Sequence, residues 1–229
     1  NNGPGGSAPD GPYAAGAPGV GAEVIGVASY DNTHVTQASF TVSPDATAIG
    51  YSPASGAPAA PTSGDLVMSK SGTPTTTNDG CVALDAAAHV GKAVLIRRGT
   101  CSFFIKASNA QAAGAAAVVL YNNVAGFLNP TVAGAPPITI PVVAITAAGG
   151  ALIDGRIAAG ETTMTWTDEV ASVPQATGGL ISGFSSFGMA ADLTLKPDIG
   201  APGGSIFSTI PLDQGGYGTI SGTSMSSPH

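Results

Sequence analysis

Residues 91–123 read GKAVLIRRGTCSFFIKASNAQAAGAAAVVLYNN, and the hydrophobic period changes twice along this stretch. Residues 92–99 (KAVLIRRG) form a strand that Gly99 ends. From Cys101 the period turns helical. Ser102 is placed to cap the helix, Ile105, Ala107, Ala110 and Ala113 face inward, and Gly114 suits its C-terminal end. Residues 116–123 (AAVVLYNN) return to a strand. A strand, a helix and a strand joined by short connections imply a right-handed βαβ unit, and hence an α/β fold.

The neighbouring text extends this block. Strands are expected at 66–69 (LVMS) and 138–146 (ITIPVVAIT), with a short helix within 147–160. Residues 161–167 (ETTMTWT) alternate as an edge strand does, and residues 43–61 read as a Pro/Ser/Ala/Gly-rich connector. Outside the block the texture differs. Residues 23–31 (EVIGVASYD) are a buried strand, residues 36–42 a second strand, and residues 175–229 are strand pieces between Gly/Pro turns. The two outer segments resemble each other, so one domain (1–44 and 167–229) is interrupted by another (45–166).

Composition narrows the function. Hydrophobic residues make up 43% of the 229, enough for a packed core. The net charge is -7, from 14 acids against 7 bases, which leaves no material for a basic patch and argues against nucleic acid or an anionic membrane as partner. No run of 18 apolar residues is present to span a bilayer. The opening NNGPGGSAPDG reads as a loop, not a leader, and the chain stops just after a proline; both ends suggest an internal segment of a longer protein. Cys81 and Cys101 lack the companions of a zinc site. They fit one disulfide in a secreted protein, with two buried thiols as the alternative.

Several motif-like stretches fail. GVGAEVIG has the wrong spacing for a dinucleotide loop, HVGKA (89–93) lacks the phosphate loop's remaining residues, and GTSMS is not a G-x-S-x-G elbow because position 226 is Ser.

One motif holds. Residues 221–229 (SGTSMSSPH) closely resemble the nucleophile segment of subtilisin-like serine proteases. The residue types suit the chemistry. Gly222 lets a substrate backbone approach, Ser224 opens a helix whose dipole and free amides favour a developing oxyanion, and Pro228 lies where a helix tolerates it. Upstream, residues 195–209 (LKPDIGAPGGSIFST), 181–188 (ISGFSSFG) and 23–33 (EVIGVASYDNT) are similar to other segments of that family, in the family's order. The opening NNG resembles the family's oxyanion asparagine motif, and Ala17-Pro18 aligns with a turn that holds a cis proline in many members.

Residues 91–123, with IPVVAIT (140–146) and GGALI after it, are similar to the protease-associated (PA) domain, a small α/β module inserted in a loop of some proteases. The resemblance covers roughly 45–166, and Cys81 and Cys101 lie where such inserts often carry a disulfide.

Together these resemblances imply a partial subtilisin-like parallel-sheet domain interrupted by a PA domain. They imply a secreted serine endopeptidase acting on proteins or peptides through an acyl-enzyme, with Ser224 as nucleophile and Asn1 as the oxyanion donor. Gly222, Thr223, Ser185 and Ser186 would shape the substrate site. In chain order the family's Asp and His precede the oxyanion asparagine, so both are expected upstream of this chain, and the chain alone is expected to be inactive. His34, His89 and His229 do not sit in the family's catalytic histidine setting, and the neighbourhood of Asp198 is structural in the family. No cofactor is implied, and no residue here is assigned to calcium, because the loops that hold it in this family are largely absent. The oligomeric state is open. A second reading is a non-catalytic PA-type protein-binding module with protease-like flanks, and a third a degenerate pseudo-protease.

Overall fold

A computed structural model describes residues 16–190, 192–212 and 216–229. The chain divides into two units, Asn1–Thr36 with Val173–His229, and Gln37–Ser172. In the first, strand β1 (Val27–Asp31) opens the regular structure.

The second unit is a mixed eight-stranded sheet. Its elements are β2 (His34–Val42), β3 (Thr47–Gly50), β4 (Ser52–Pro53), β5 (Gly64–Lys70), α1 (Ala86–His89), β6 (Ala93–Arg97), α2 (Phe103–Ala112), β7 (Ala117–Tyr121), β8 (Val142–Ile145), α3 (Ala147–Ala159) and β9 (Thr163–Pro174). The strand order is β3-β2-β9-β5-β6-β7-β8-β4. Strands β5 to β8 run parallel, while β3, β4 and β9 pair antiparallel. The two edge strands β3 and β4 are joined by Tyr51 alone, so the chain steps from one edge of the sheet to the other and the sheet must curl.

The expected α/β class is therefore present, and its centre follows from β6 and β7, which are apolar on both faces. Ala93 and Leu95 of β6, with Ala117, Val119 and Tyr121 of β7, pack toward Ile153 of α3 and the aromatic group Phe40, Tyr51 and Trp166. Val94, Ile96, Val118 and Leu120 face the other way, onto Ala107 and Ala110 of α2. The Thr146 hydroxyl accepts from Gly149 N at 3.2 Å to start α3. Gly150 then lets α3 lie against β7, because a Cβ there would stand 2.2 Å from the Tyr121 ring.

Several expectations are corrected. The 161–167 stretch is not an edge strand. It belongs to β9, which lies between β2 and β5 and buries Met164 and Trp166. Because β2 and β9 pair in this sheet, residues 37–44 and 167–172 group with the second unit and not with the flanks. The 43–61 connector contains β3 and β4. Ile105, expected inward, is 41% exposed, and the next residue, Lys106, is fully buried in its place.

The first unit resumes with β10 (Gly188–Met189), β11 (Leu195–Lys196), β12 (Ile199–Gly204), β13 (Ile206–Thr209), β14 (Tyr217–Ile220) and the single-turn helix α4 (Thr223–Ser226). Strands β1 and β12 pair in parallel from Val27–Ile199 to Asp31–Gly204, and α4 packs against both. Strands β13 and β14 are antiparallel, with Phe207 stacked on Tyr217. The Ala17-Pro18 bond is cis.

Candidate active site

The turn bearing Ser224 is set by backbone bonds at its base. Gly222 N donates to Gly203 O at 2.8 Å, which ties the start of α4 to the end of β12. The Ser221 hydroxyl accepts from Ser205 N at 2.8 Å. Met225 N donates to Gly222 O and Ser227 N to Thr223 O, closing one helical turn. Its side chains then alternate in environment. Ser224 is exposed, Thr223 and Met225 are half-buried, and Ser226 is fully buried. Packing within the chain does not require glycine at 222, since a Cβ there would meet only Met225 Sδ, at 3.5 Å, and Ser224 N, at 3.7 Å.

Beside this turn lies a cleft of about 280 Å³. Thr223 lines one part of it and Ser186 another, with Pro18, Gly19, Val27 and Pro197 among the remaining walls. Two of the four residues expected at the substrate site thus share one cleft. Ser185 does not join them. Its side chain is fully buried, and its Oγ accepts the Ser29 amide of β1 at 2.9 Å. This corrects its expected role: Ser185 braces a strand, and its neighbour Ser186 reaches the cleft. Asn1 lies outside the described residues.

A charged clamp holds the cleft's edge. Asp198 Oδ2 accepts from Gly26 N at 2.7 Å and from Lys196 Nζ at 2.8 Å. Lys196 Nζ also donates to Val24 O at 2.8 Å. The bond from the Lys196 ammonium, helped by the Gly26 amide, holds the Asp198 carboxyl below the usual range. Asp198 is thus committed to the backbone at Gly26. Sequence reading missed this clamp, because Lys196 and Val24 are 172 residues apart and no local pattern joins them.

Behind α4 lies a run of hydroxyls, of which Ser29 and Ser182 are buried and Thr177 is exposed. Ser182 Oγ donates to Asp31 Oδ1 at 2.6 Å, Thr177 Oγ1 donates to Asp31 Oδ2 at 2.5 Å, and Ser29 Oγ stands 2.9 Å from Ser182 Oγ. Ser29 and Ser182 escaped sequence reading, although serines within an apolar strand, as in VASYD, are a signal for buried hydrogen bonding.

The three histidines are engaged elsewhere. His34 Nδ1 is 3.1 Å from Thr33 Oγ1, and His229 Nδ1 is 2.7 Å from Met225 O. His89, in the second unit, is buried with Nδ1 2.9 Å from Ser69 Oγ, and burial pushes its pKa down. Among the described residues no group of three His, Cys, Asp or Glu side chains could hold a metal.

The second unit carries the remaining assigned pair. Cys81 and Cys101 form a disulfide. It sits over Lys106, whose ammonium donates to Asp79 O, while Asn109 Nδ2 donates to Gly80 O at 2.9 Å. Burial lowers the Lys106 pKa.

Residues 62–153 match the PA domain family. The chain is 39% identical over 144 residues to the minor extracellular protease Vpr of Bacillus subtilis (strain 168), an alignment covering 61% of this chain and 17% of that protein. It is 38% identical over 141 residues to the PI-type proteinase of Lactococcus lactis subsp. cremoris (60% and 7%), and 39% identical over 142 residues to the C5a peptidase of Streptococcus pyogenes (60% and 11%). The chain thus spans less than a fifth of the length of these curated relatives. Among solved structures, an aminopeptidase from Aneurinibacillus sp. strain AM-1 aligns over 62% of this chain and 35% of its own, at 25% identity and a TM-score of 0.44. The subtilisin-like protease Apa1 of Pseudoalteromonas sp. AS-11 aligns over 78% and 49%, at 15% identity and a TM-score of 0.42. No described helix is long and apolar enough to cross a membrane.

Proposed function

We propose that this chain is the part of a secreted, subtilisin-like serine endopeptidase that carries the nucleophile Ser224, with the second unit (Gln37–Ser172) inserted as a PA domain. The similarity to proteases that include a named extracellular one supports a protease acting on proteins or peptides outside the cell. The observation that carries the serine-type reading is the SGTSMSSPH segment, folded as a short turn that exposes Ser224 beside the cleft lined by Thr223 and Ser186.

In this mechanism a histidine outside the chain takes the Ser224 proton, and Oγ attacks the scissile carbonyl. The Ser224 amide and the Asn1 side chain hold the oxyanion, the amine leaves, and water hydrolyses the acyl-enzyme. Gly222 leaves room for the substrate backbone, and Thr223 and Ser186 line the substrate side of the cleft.

The test is to assay the full-length protein on casein and to label it with a fluorophosphonate, beside Ser224→Ala. Hydrolysis and labelling that both vanish in the variant are the expected result. A folded protein that neither cleaves nor labels would overturn the reading. It would favour instead a PA-type protein-binding module, a reading supported by the family match lying wholly within the second unit.

A further inference from the structure

Ser226, the last residue of α4, has no task in the proposed reaction. Its side chain is fully buried, and its Oγ has no hydrogen-bond partner among the described residues. A buried hydroxyl in that state is destabilising, so its surroundings call for an explanation.

The nearest one lies across Gly203. A Cβ built on Gly203 would stand 1.9 Å from Ser226 Oγ, 2.5 Å from Ser29 Oγ and 2.7 Å from Gly222 O. The Ser226 and Ser29 oxygens therefore crowd the same face of one glycine. They can stand no further apart than the sum of the first two separations. Only a residue without a side chain leaves that space to them.

The direction of the neighbouring hydrogen bonds then matters. Ser182 gives its hydroxyl proton to Asp31 Oδ1 at 2.6 Å. With that proton spent, the 2.9 Å contact between Ser182 Oγ and Ser29 Oγ is donated by Ser29. Ser29 in turn has no proton left to give, but its oxygen keeps a lone pair. The chain of hydroxyls thus ends in an acceptor at Ser29, and the neighbouring hydroxyl without a partner, Ser226, is a donor.

We infer that Ser226 is a positioning residue: it donates to Ser29 and so ties α4, through Ser182, to the Asp31 carboxylate at the end of β1. A rotation of Ser226 about χ1, or a slight settling of α4 on β1, makes the bond. Ser224 lies two residues away on the same single turn, so the bond would fix the height of its hydroxyl above the β1–β12 pair. The catalytic part of this inference rests on Ser224 being the nucleophile; the bond itself does not.

The two parts separate experimentally. In the full-length protein, amide hydrogen exchange over residues 199–204 and 221–229 would be compared for the parent, Ser226→Ala, Ser29→Ala and the double variant. A hydroxyl with no partner is better removed, and Ser226→Ala would then exchange no faster than the parent. A relay predicts the opposite sign: Ser226→Ala exchanges faster, and the double variant little faster than the more affected single one, because both cut the same link. Ser226→Cys, a weaker donor of similar shape, should fall between parent and Ser226→Ala, and it keeps the test valid if Ser29→Ala fails to fold. Unchanged or slower exchange in Ser226→Ala, or additive effects in the double variant, overturns the inference. On the catalytic side, Ser226→Ala should lower kcat severalfold at unchanged KM, with Ser226→Cys restoring part of it. A kcat equal to the parent's would remove the positioning role. A protein that shows the exchange coupling yet never labels at Ser224 would keep the relay and reject only the protease reading.

Discussion

The Ser185 hydroxyl accepts the amide of Ser29 at 2.9 Å, although the two residues are 156 positions apart. This bond joins the ISGFSSFG loop to β1 and leaves the adjacent Ser186 facing the cleft. It divides two identical neighbouring side chains into a brace and a cleft wall.

Ser185→Ala should therefore act on stability. It leaves the Ser29 N–H buried without its partner, at a cost of about 1–3 kcal/mol. Urea unfolding of the parent and variant measures this. Ser186→Ala, beside it, should alter substrate KM.

Replacing both Cys81 and Cys101 with serine should destabilise the second unit by roughly 3 kcal/mol, the chain-entropy value for closing a loop of about 20 residues. Denaturation with and without a reductant checks it. Reductant should lower the midpoint of the parent and leave the serine variant unmoved.

Gly150→Ala should be among the most damaging single changes in the second unit. The new methyl would stand 2.2 Å from Cγ of Tyr121, a ring that is itself buried. Neither the helix nor the central strand can retreat without opening the core, and overpacking of this kind costs about 1–3 kcal/mol. A thermal melt followed by the fluorescence of Trp166, which lies in the same core, reports it.

His89 makes the second unit sensitive to acid. Burial is the main reason its pKa lies below the usual 6.5, with the nearby Lys92 cation adding to the effect, so it is neutral at pH 7. The unfolded chain takes up a proton near pH 6.5, before the folded unit does. The stability contribution is thus complete above 6.5 and is lost as pH falls from there toward the lowered folded value. His89→Gln should flatten this part of the stability curve. Unfolding midpoints across pH 7 to 5 measure the difference.

Much of the second unit was legible because its signals are local. The strand at 92–99, the helix capped by Ser102 and the strand at 116–123 correspond to β6, α2 and β7. Each is specified by period, cap and length within a few residues. The turn bearing Ser224 was legible for the same reason, since its residue types follow one another without a gap.

What the chain's text could not reveal depends on partners far away in sequence. Helical period alone places Ile105 inward, yet the fold buries Lys106, because its ammonium finds Asp79 O in a segment that the Cys81–Cys101 disulfide draws over α2. The 161–167 alternation says that one face is buried, but not that both edges are paired; only the arrival of β2 and β5 on either side makes β9 an inner strand. The same holds at the candidate site. Sequence by itself determined that Ser224 sits on a tight turn among small residues. Which hydroxyls stand behind it, and that Ser185 turns inward while Ser186 faces the cleft, was decided by the pairing of β1 with β12. A hydrogen bond is satisfied by whatever the tertiary fold brings within reach, and no local pattern encodes that.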